Sequence, residues 1–342
     1  LMVDLDDALY LVTRAFSVLT RPAIIFWVLY LDLEEQSIEL ALIITVLTSI
    51  TYVMAIEVHK DYYKNFFANT NLFNPVSTSR IFFKYLQSIS RMGVLGFGLG
   101  FLTWALLKGD LINALLLGLI ISLDYFVVEY MRFLIFEKKF KTWSLVQLIR
   151  YVLPGLVIFV TVPLITKSAT FIFLIGYLCC LIVLVLKISK NIHFLRHVRK
   201  GNILIKKLGI FEIINELKDR FFYVLAAFCN RHIILIDRYI IYFFDQSYFT
   251  FYTLLSMILS VIPMFVDMFF ISRNRARFAL RVIPLIQLLK ELSFINSFFF
   301  SILIGTVCAS MAIIFQNQDF YANLFPLILL LLCFSCYSIA AP

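Results

Sequence analysis

The chain reads as an all-α polytopic membrane protein, with about ten transmembrane helices in two bundles related by a pseudo-twofold axis. Three observations lead there. The composition is 62% hydrophobic and only 15% charged, with a mean hydropathy of +0.94. The 37 Phe residues and long Leu/Ile runs exceed what the core of a 342-residue soluble domain could hide. Apolar runs recur at the ~20-residue length that crosses ~30 Å of hydrocarbon, and Lys and Arg gather in alternate connections between them.

Taken in order, the spans fall near 8–31, 37–58, 88–108, 111–132, 145–166, 169–188, 221–244, 248–272, 292–315 and 320–340. The turns at 32–37, 108–110, 166–168, 245–247 and 316–319 are short. The longer connections 59–87, 132–144, 187–220 and 273–291 hold 22 of the 30 basic residues, whereas the short turns hold Lys108 and Lys167. By the positive-inside rule the N-terminus and the long loops are cytoplasmic. In a soluble protein the net charge of +9 would invite nucleic acid; here it sets orientation, and no nucleic-acid partner is expected. The first apolar run carries two arginines and no small-residue cleavage site, so it reads as a span and not as a signal peptide.

Three units follow: an N-terminal six-helix bundle over 1–188, a cytoplasmic amphipathic connector over 189–220, and a C-terminal bundle over 221–342. The connector interleaves basic and apolar residues, the pattern of a helix lying along the inner leaflet. The bundles look like copies. A shift of 210 places Arg21 on Arg231, Glu35-Gln36-Ser37 on Asp245-Gln246-Ser247, Met54 on Met264 and Glu57 on Asp267; a shift of 209 places Asp110 on Asp319. Only the polar matches carry weight, because apolar helices align by chance. The second copy has four spans, so the sequence reads either as truncated or as a ten-span variant.

Charges inside spans are costly, ~2.5–3.5 kcal/mol each on insertion scales, and are tolerated mainly where they face a wet interior. Span one carries Arg14 and Arg21, and span seven Arg231 and Arg238; each pair is seven residues apart and so shares one helical face. Arg21 and Arg231 fall near mid-depth and are expected to face each other. Arginine keeps its charge and binds phosphate through two parallel N–H groups. These four are the candidate substrate contacts; the plainer alternative is pairing with carboxylates of neighbouring helices. Arg91 and Arg150 lie near cytoplasmic ends and read as snorkelling. Asp124 and Asp237 are the most deeply placed carboxylates. Either could neutralise an arginine or take up a coupling proton, since burial and a neighbouring cation pull in opposite directions. Glu57 and Asp267 end spans two and eight, as gate residues or as solvated helix ends. Glu129 is expected to pair with Arg132 near the surface. Gly93, Gly96, Gly98 and Gly100 suggest close helix packing.

Soluble-enzyme motifs are absent: there is no Gly-rich phosphate loop, HExxH or GxSxG. His193 and His197 share a face without a third ligand, and Cys333/Cys336 form a CxxC in an apolar setting. No metal site and no cofactor are expected.

The segments RPAIIFWVLYLDLEEQSIELALIITVL (21–47) and RHIILIDRYIIYFFDQSYFTFYTLLSMI (231–258), set in paired bundles with a basic middle loop, resemble the multidrug/oligosaccharidyl-lipid/polysaccharide exporter superfamily. The pattern is most similar to bacterial O-antigen (lipid-linked repeat-unit) flippases. It is diffuse, covers nearly the whole chain, and departs from the family in lacking spans eleven and twelve. The resemblance implies a protein of the bacterial inner membrane that flips an undecaprenyl-pyrophosphate-linked oligosaccharide by alternating access, in polysaccharide and lipopolysaccharide biosynthesis. A proton or sodium gradient would drive it, and membrane lipids, polysaccharide polymerase and chain-length proteins would be its neighbours. Carried over, Arg21, Arg231 and Arg238 would be lumen arginines, and Asp124 and Asp237 coupling carboxylates. A lipid II flippase or a multidrug exporter shares that architecture, although the latter should have an acidic or aromatic cavity. A membrane-embedded polysaccharide polymerase or glycosyltransferase should carry catalytic residues on a long outer loop, whereas every outer connection here is short; the chain reads as no enzyme. An ion channel would need a filter-like segment.

Overall fold

The computed structural model describes residues 5–54, 75–136, 139–163, 168–191 and 235–259, with isolated helical positions at 215, 218 and between 299 and 328. The described residues are all-helical. In chain order they form α1 (Leu5–Tyr30), α2 (Glu34–Met54), α3 (Pro75–Lys108), α4 (Leu111–Phe136), α5 (Phe140–Gln147), a π-helical turn (Leu148–Val152), α6 (Leu153–Thr161), α7 (Ala169–Asn191), α8 (Ile236–Phe244) and α9 (Gln246–Leu259). Among the described residues, five stretches are long and apolar enough to cross a membrane: Val12–Tyr30, Ser88–Lys108, Leu111–Arg132, Phe140–Thr161 and Ala169–Ile188. The protein is therefore a multi-pass membrane protein.

The turns follow from local chemistry. Asp32 and Gly109 take the left-handed backbone at φ 58° and 70°, which Asp tolerates and Gly adopts without steric cost. Asp110 then caps α4: its Oδ1 accepts the Ile112 and Asn113 N–H groups at 3.0 and 3.2 Å, and its Oδ2 accepts Asn113 Nδ2–H at 2.7 Å. Asp245 breaks α8 from α9 and accepts the Tyr248 N–H at 3.1 Å. Gln36 reaches from α2 to the first turn of α7, accepting the Ala169 N–H at 2.8 Å.

At the centre stands α2. From Leu40 to Thr51 it is buried all round, and it packs against α1, α3, α4, α7 and α9. A helix apolar on every side belongs in a core. Around it, the outward faces of the longer helices expose large apolar side chains such as Phe16, Leu102, Leu106, Leu115, Val160 and Val183. In water so much exposed apolar surface would drive aggregation; on spanning helices it is the surface that lipid covers.

Small residues let the outer helices approach. A Cβ on Gly118 would stand 2.8 Å from the Phe97 carbonyl oxygen, and one on Gly100 would stand 2.5 Å from Ile121 Cδ1. This is why α3 and α4 make the most extensive helix pair. Gly98, grouped with its neighbours in the sequence reading, has nothing within 4 Å and takes no part. Helix α3 also starts at Pro75, well before the span expected at 88, so part of the first long basic loop, 59–87, is helix. Of the connector, α7 covers the first residues, to Asn191, and 192–214 lie outside the described residues.

Candidate functional site

The polar interior is built where α1 meets the continuous helix of α5, the π-turn and α6. Arg14, Ser17 and Arg21 follow one another along one face of α1. Ser17 is buried; its Oγ donates to the Arg14 carbonyl at 2.8 Å and accepts from Gln147 Nε2 at 2.8 Å. Arg14 Nη1 donates to the Tyr10 hydroxyl at 2.7 Å, and the Tyr10 ring packs on Trp143 at 4.4 Å and Phe140 at 5.4 Å. One and a half to two turns further on, beside Pro22, Arg21 Nη1 donates to Thr48 Oγ1 of α2 at 2.9 Å.

The π-turn faces this point. A π-turn inserts one extra residue into a helical turn and so rotates the side chains that follow, and such turns recur at functional sites. Here it turns Arg150 inward, where it is 6% exposed. Arg150 Nε donates to Asp124 Oδ1 at 2.5 Å and Nη2 to Oδ2 at 2.6 Å. The Tyr177 hydroxyl of α7 donates to the same Oδ1 at 2.7 Å. Asp124 is fully buried and thus takes three donors from two other elements. The next residue, Tyr151, presents its ring to both cations: Arg150 Cζ lies 4.4 Å and Arg21 Cζ 4.8 Å from its centroid.

Asp124 helps the two arginines to stand close. Their Cζ atoms lie 4.4 and 4.8 Å from one ring centroid, so the two cations are near neighbours and repel each other. The Asp124 carboxylate, bonded twice to Arg150, offsets that repulsion. The contacts that meet at Tyr151 join α1, α2, the π-turn, α4 and α7, with two arginines and one carboxylate among them.

This arrangement corrects the reading of Arg150 as a snorkelling residue. It also gives Asp124 an arginine partner, the first of the two roles foreseen for it. The Glu129–Arg132 pair is present, but the Glu129 side chain is wholly buried and not at the surface.

A second polar group lies on α8 and α9. Arg238, 4% exposed, donates from Nε and Nη2 to Ser256 Oγ at 3.2 and 2.9 Å. Asp237 accepts the Tyr252 hydroxyl through Oδ2 and the Arg238 backbone N–H through Oδ1 at 2.7 Å. Tyr239 donates to Ser49 Oγ at 3.0 Å. Consecutive residues of α2, Thr48 and Ser49, thus take partners from the two ends of the described chain.

Arg14, Arg21, Arg238, Asp124 and Asp237 all lie on described helices, and the contacts among the described residues place them in three groups. Arg21 and Asp124 meet through Tyr151 and Arg150; Arg14 sits with Tyr10; Arg238 and Asp237 sit on α8. Arg231, Glu57 and Asp267, with the proposed facing of Arg231 and Arg21, lie outside the described residues. The sequence reading missed Tyr151, Tyr177, Thr48 and Ser256. Two of these, Tyr151 and Tyr177, had a usable signal, a hydroxyl-bearing ring inside a mainly apolar span; in hydrocarbon that hydroxyl has to find a partner.

No protein-family model matches this chain, and neither a curated protein nor a solved structure shows significant similarity to it.

Proposed function

We propose that the chain is a transporter that moves an anionic lipid-linked saccharide across the membrane, with Arg21 contacting the phosphate group. The observation that carries this reading is the placement of Arg21 inside a spanning helix, between a Thr48 hydroxyl and the Tyr151 ring, beside an Arg150 already matched by Asp124. An ionisable residue inside a spanning helix marks an interior or a substrate path, and an interior arginine suits an anionic one. Arginine offers the paired N–H geometry that a phosphate or pyrophosphate accepts.

In its finer form the reading is an undecaprenyl-pyrophosphate-linked O-antigen or capsule unit, flipped across a bacterial inner membrane with the N-terminus cytoplasmic. Ten spans in two pseudo-symmetric bundles would alternate access, and Arg14, Arg231 and Arg238 would line the same path. Asp237 is the better coupling carboxylate of the two, because taking a proton onto Asp124 would break a bidentate pair. Glu57 and Asp267 would serve as gates. The lipid tail stays in the bilayer, so no covalent step is needed.

The test is complementation of a flippase-deficient strain. Arg21→Ala should remove surface polysaccharide while the protein still inserts at wild-type level, and Arg21→Lys should retain a minor part. Full surface polysaccharide with Arg21→Ala would reject the reading.

A further inference from the structure

We infer that Tyr151 is a positioning residue for the anion site: its ring fixes the guanidinium of Arg21, and is itself fixed by Arg150 and Asp124. The inference rests on the reading of Arg21 as the phosphate contact. It adds a residue and a chain of support that reading does not contain.

Three observations lead to it. The first is local. Neighbouring residues of an α-helix do not face each other, yet Arg150 Cζ lies 4.4 Å from the ring of its own neighbour Tyr151. The π-turn over Leu148–Val152 makes that stacking available. The second is that Arg150 commits Nε and Nη2 to Asp124, at 2.5 and 2.6 Å. Its charge is matched, so what it contributes to the site is a rigid plane against the ring. The third is that Arg21 reaches the ring from a different helix, 4.8 Å away, while Nη1 holds Thr48 at 2.9 Å.

An arginine on a long flexible stem binds a phosphate well only if its planar fork is already oriented. Thr48 fixes one nitrogen, and the Tyr151 ring restricts the plane. The order of support is then Asp124 on α4, Arg150 and Tyr151 on the π-turn, and Arg21 on α1. The contacts that carry this role are made to the ring.

The experiment uses the full chain in lipid nanodiscs, with farnesyl pyrophosphate as the probe and calorimetric titration at fixed salt. A cation–π contact corresponds to roughly a two- to thirty-fold change in affinity. Tyr151→Leu should weaken binding about tenfold within that range, whereas Tyr151→Phe should stay within about threefold of wild type. Tyr151→Met, of similar bulk without a π face, is read in the same way if Tyr151→Leu fails to insert. Unchanged binding in Tyr151→Leu or Tyr151→Met, with Arg21→Ala weakened, would overturn the positioning role and leave the proposed function standing. Equal losses in Tyr151→Phe and Tyr151→Leu would also overturn it, by assigning the effect to the hydroxyl. Unchanged binding in Arg21→Ala would remove the anion site itself.

Discussion

Removing the carboxylate of Asp124 should unfold the bundle far more readily than removing the whole ion pair. In Asp124→Ala the Arg150 guanidinium, 6% exposed in the native fold, loses both of its short bonds, and the Tyr177 hydroxyl loses its acceptor. Arginine cannot shed its proton to escape. Breaking one partner of a buried pair costs about 3–5 kcal/mol. Tyr177→Phe removes one hydrogen bond to a charged group and should cost about 1.5–3 kcal/mol. The double variant Asp124→Leu/Arg150→Met replaces the pair by apolar side chains of comparable bulk, and such replacements are close to neutral or stabilising. The assay is reversible unfolding of the full chain in bicelles, followed by steric trapping, with Asp124→Leu, Arg150→Met and their double variant closing a thermodynamic cycle. A coupling energy above about 2 kcal/mol is expected, larger than the ~0.6 kcal/mol average for polar contacts between membrane helices, because this contact is bidentate and fully charged. An Asp124→Ala variant within about 0.5 kcal/mol of wild type, or additive single effects, would refute the reasoning.

Two further predictions concern how the site is held. A Cβ on Gly155 would stand 2.5 Å from Thr20 Cγ2, so Gly155→Ala should part α1 from α6 and cost about 1–3 kcal/mol, with Thr20→Ala restoring most of it in the same unfolding assay. Ser49→Ala and Tyr239→Phe each remove the single described bond between α2 and α8, and their double variant should lose no more than either alone, with a coupling of about 0.5–1.5 kcal/mol; strict additivity would show that the bond does not tie the two helices.

The sequence showed spans, turns and the interior arginine of α1 because each is a local property. A run such as 111–132 or 169–188 is apolar enough to be read without its neighbours, and Gly109 and Asp110 mark a turn by their own backbone and capping preferences. Arg150 was read wrongly for an equally physical reason. Its depth was counted from a span start of 145, whereas the helix runs from Phe140, which carries Arg150 deeper. Its direction was set by a π-turn that no periodicity shows, since one extra residue leaves the hydropathy pattern almost unchanged. Helix α3 was started late because its first turns are polar, and hydropathy does not see a helix that extends beyond the apolar run. Some of the repeat signal also has a local origin. Glu35 and Asp245 both stand at a helix start, where acidic side chains meet unsatisfied N–H groups whatever the ancestry of the two segments.

The most direct test of the central claim is translocation itself. Full-length protein is reconstituted in proteoliposomes with a fluorescent polyprenyl-pyrophosphate-linked saccharide, and arrival in the outer leaflet is read by quenching. Wild-type protein should move the lipid at least tenfold faster than protein-free vesicles, and Arg21→Ala should fall to the protein-free rate while remaining folded and inserted. Equal rates for wild type and Arg21→Ala would contradict a phosphate contact at Arg21, and a wild-type rate equal to that of empty vesicles would contradict transport of this substrate class altogether.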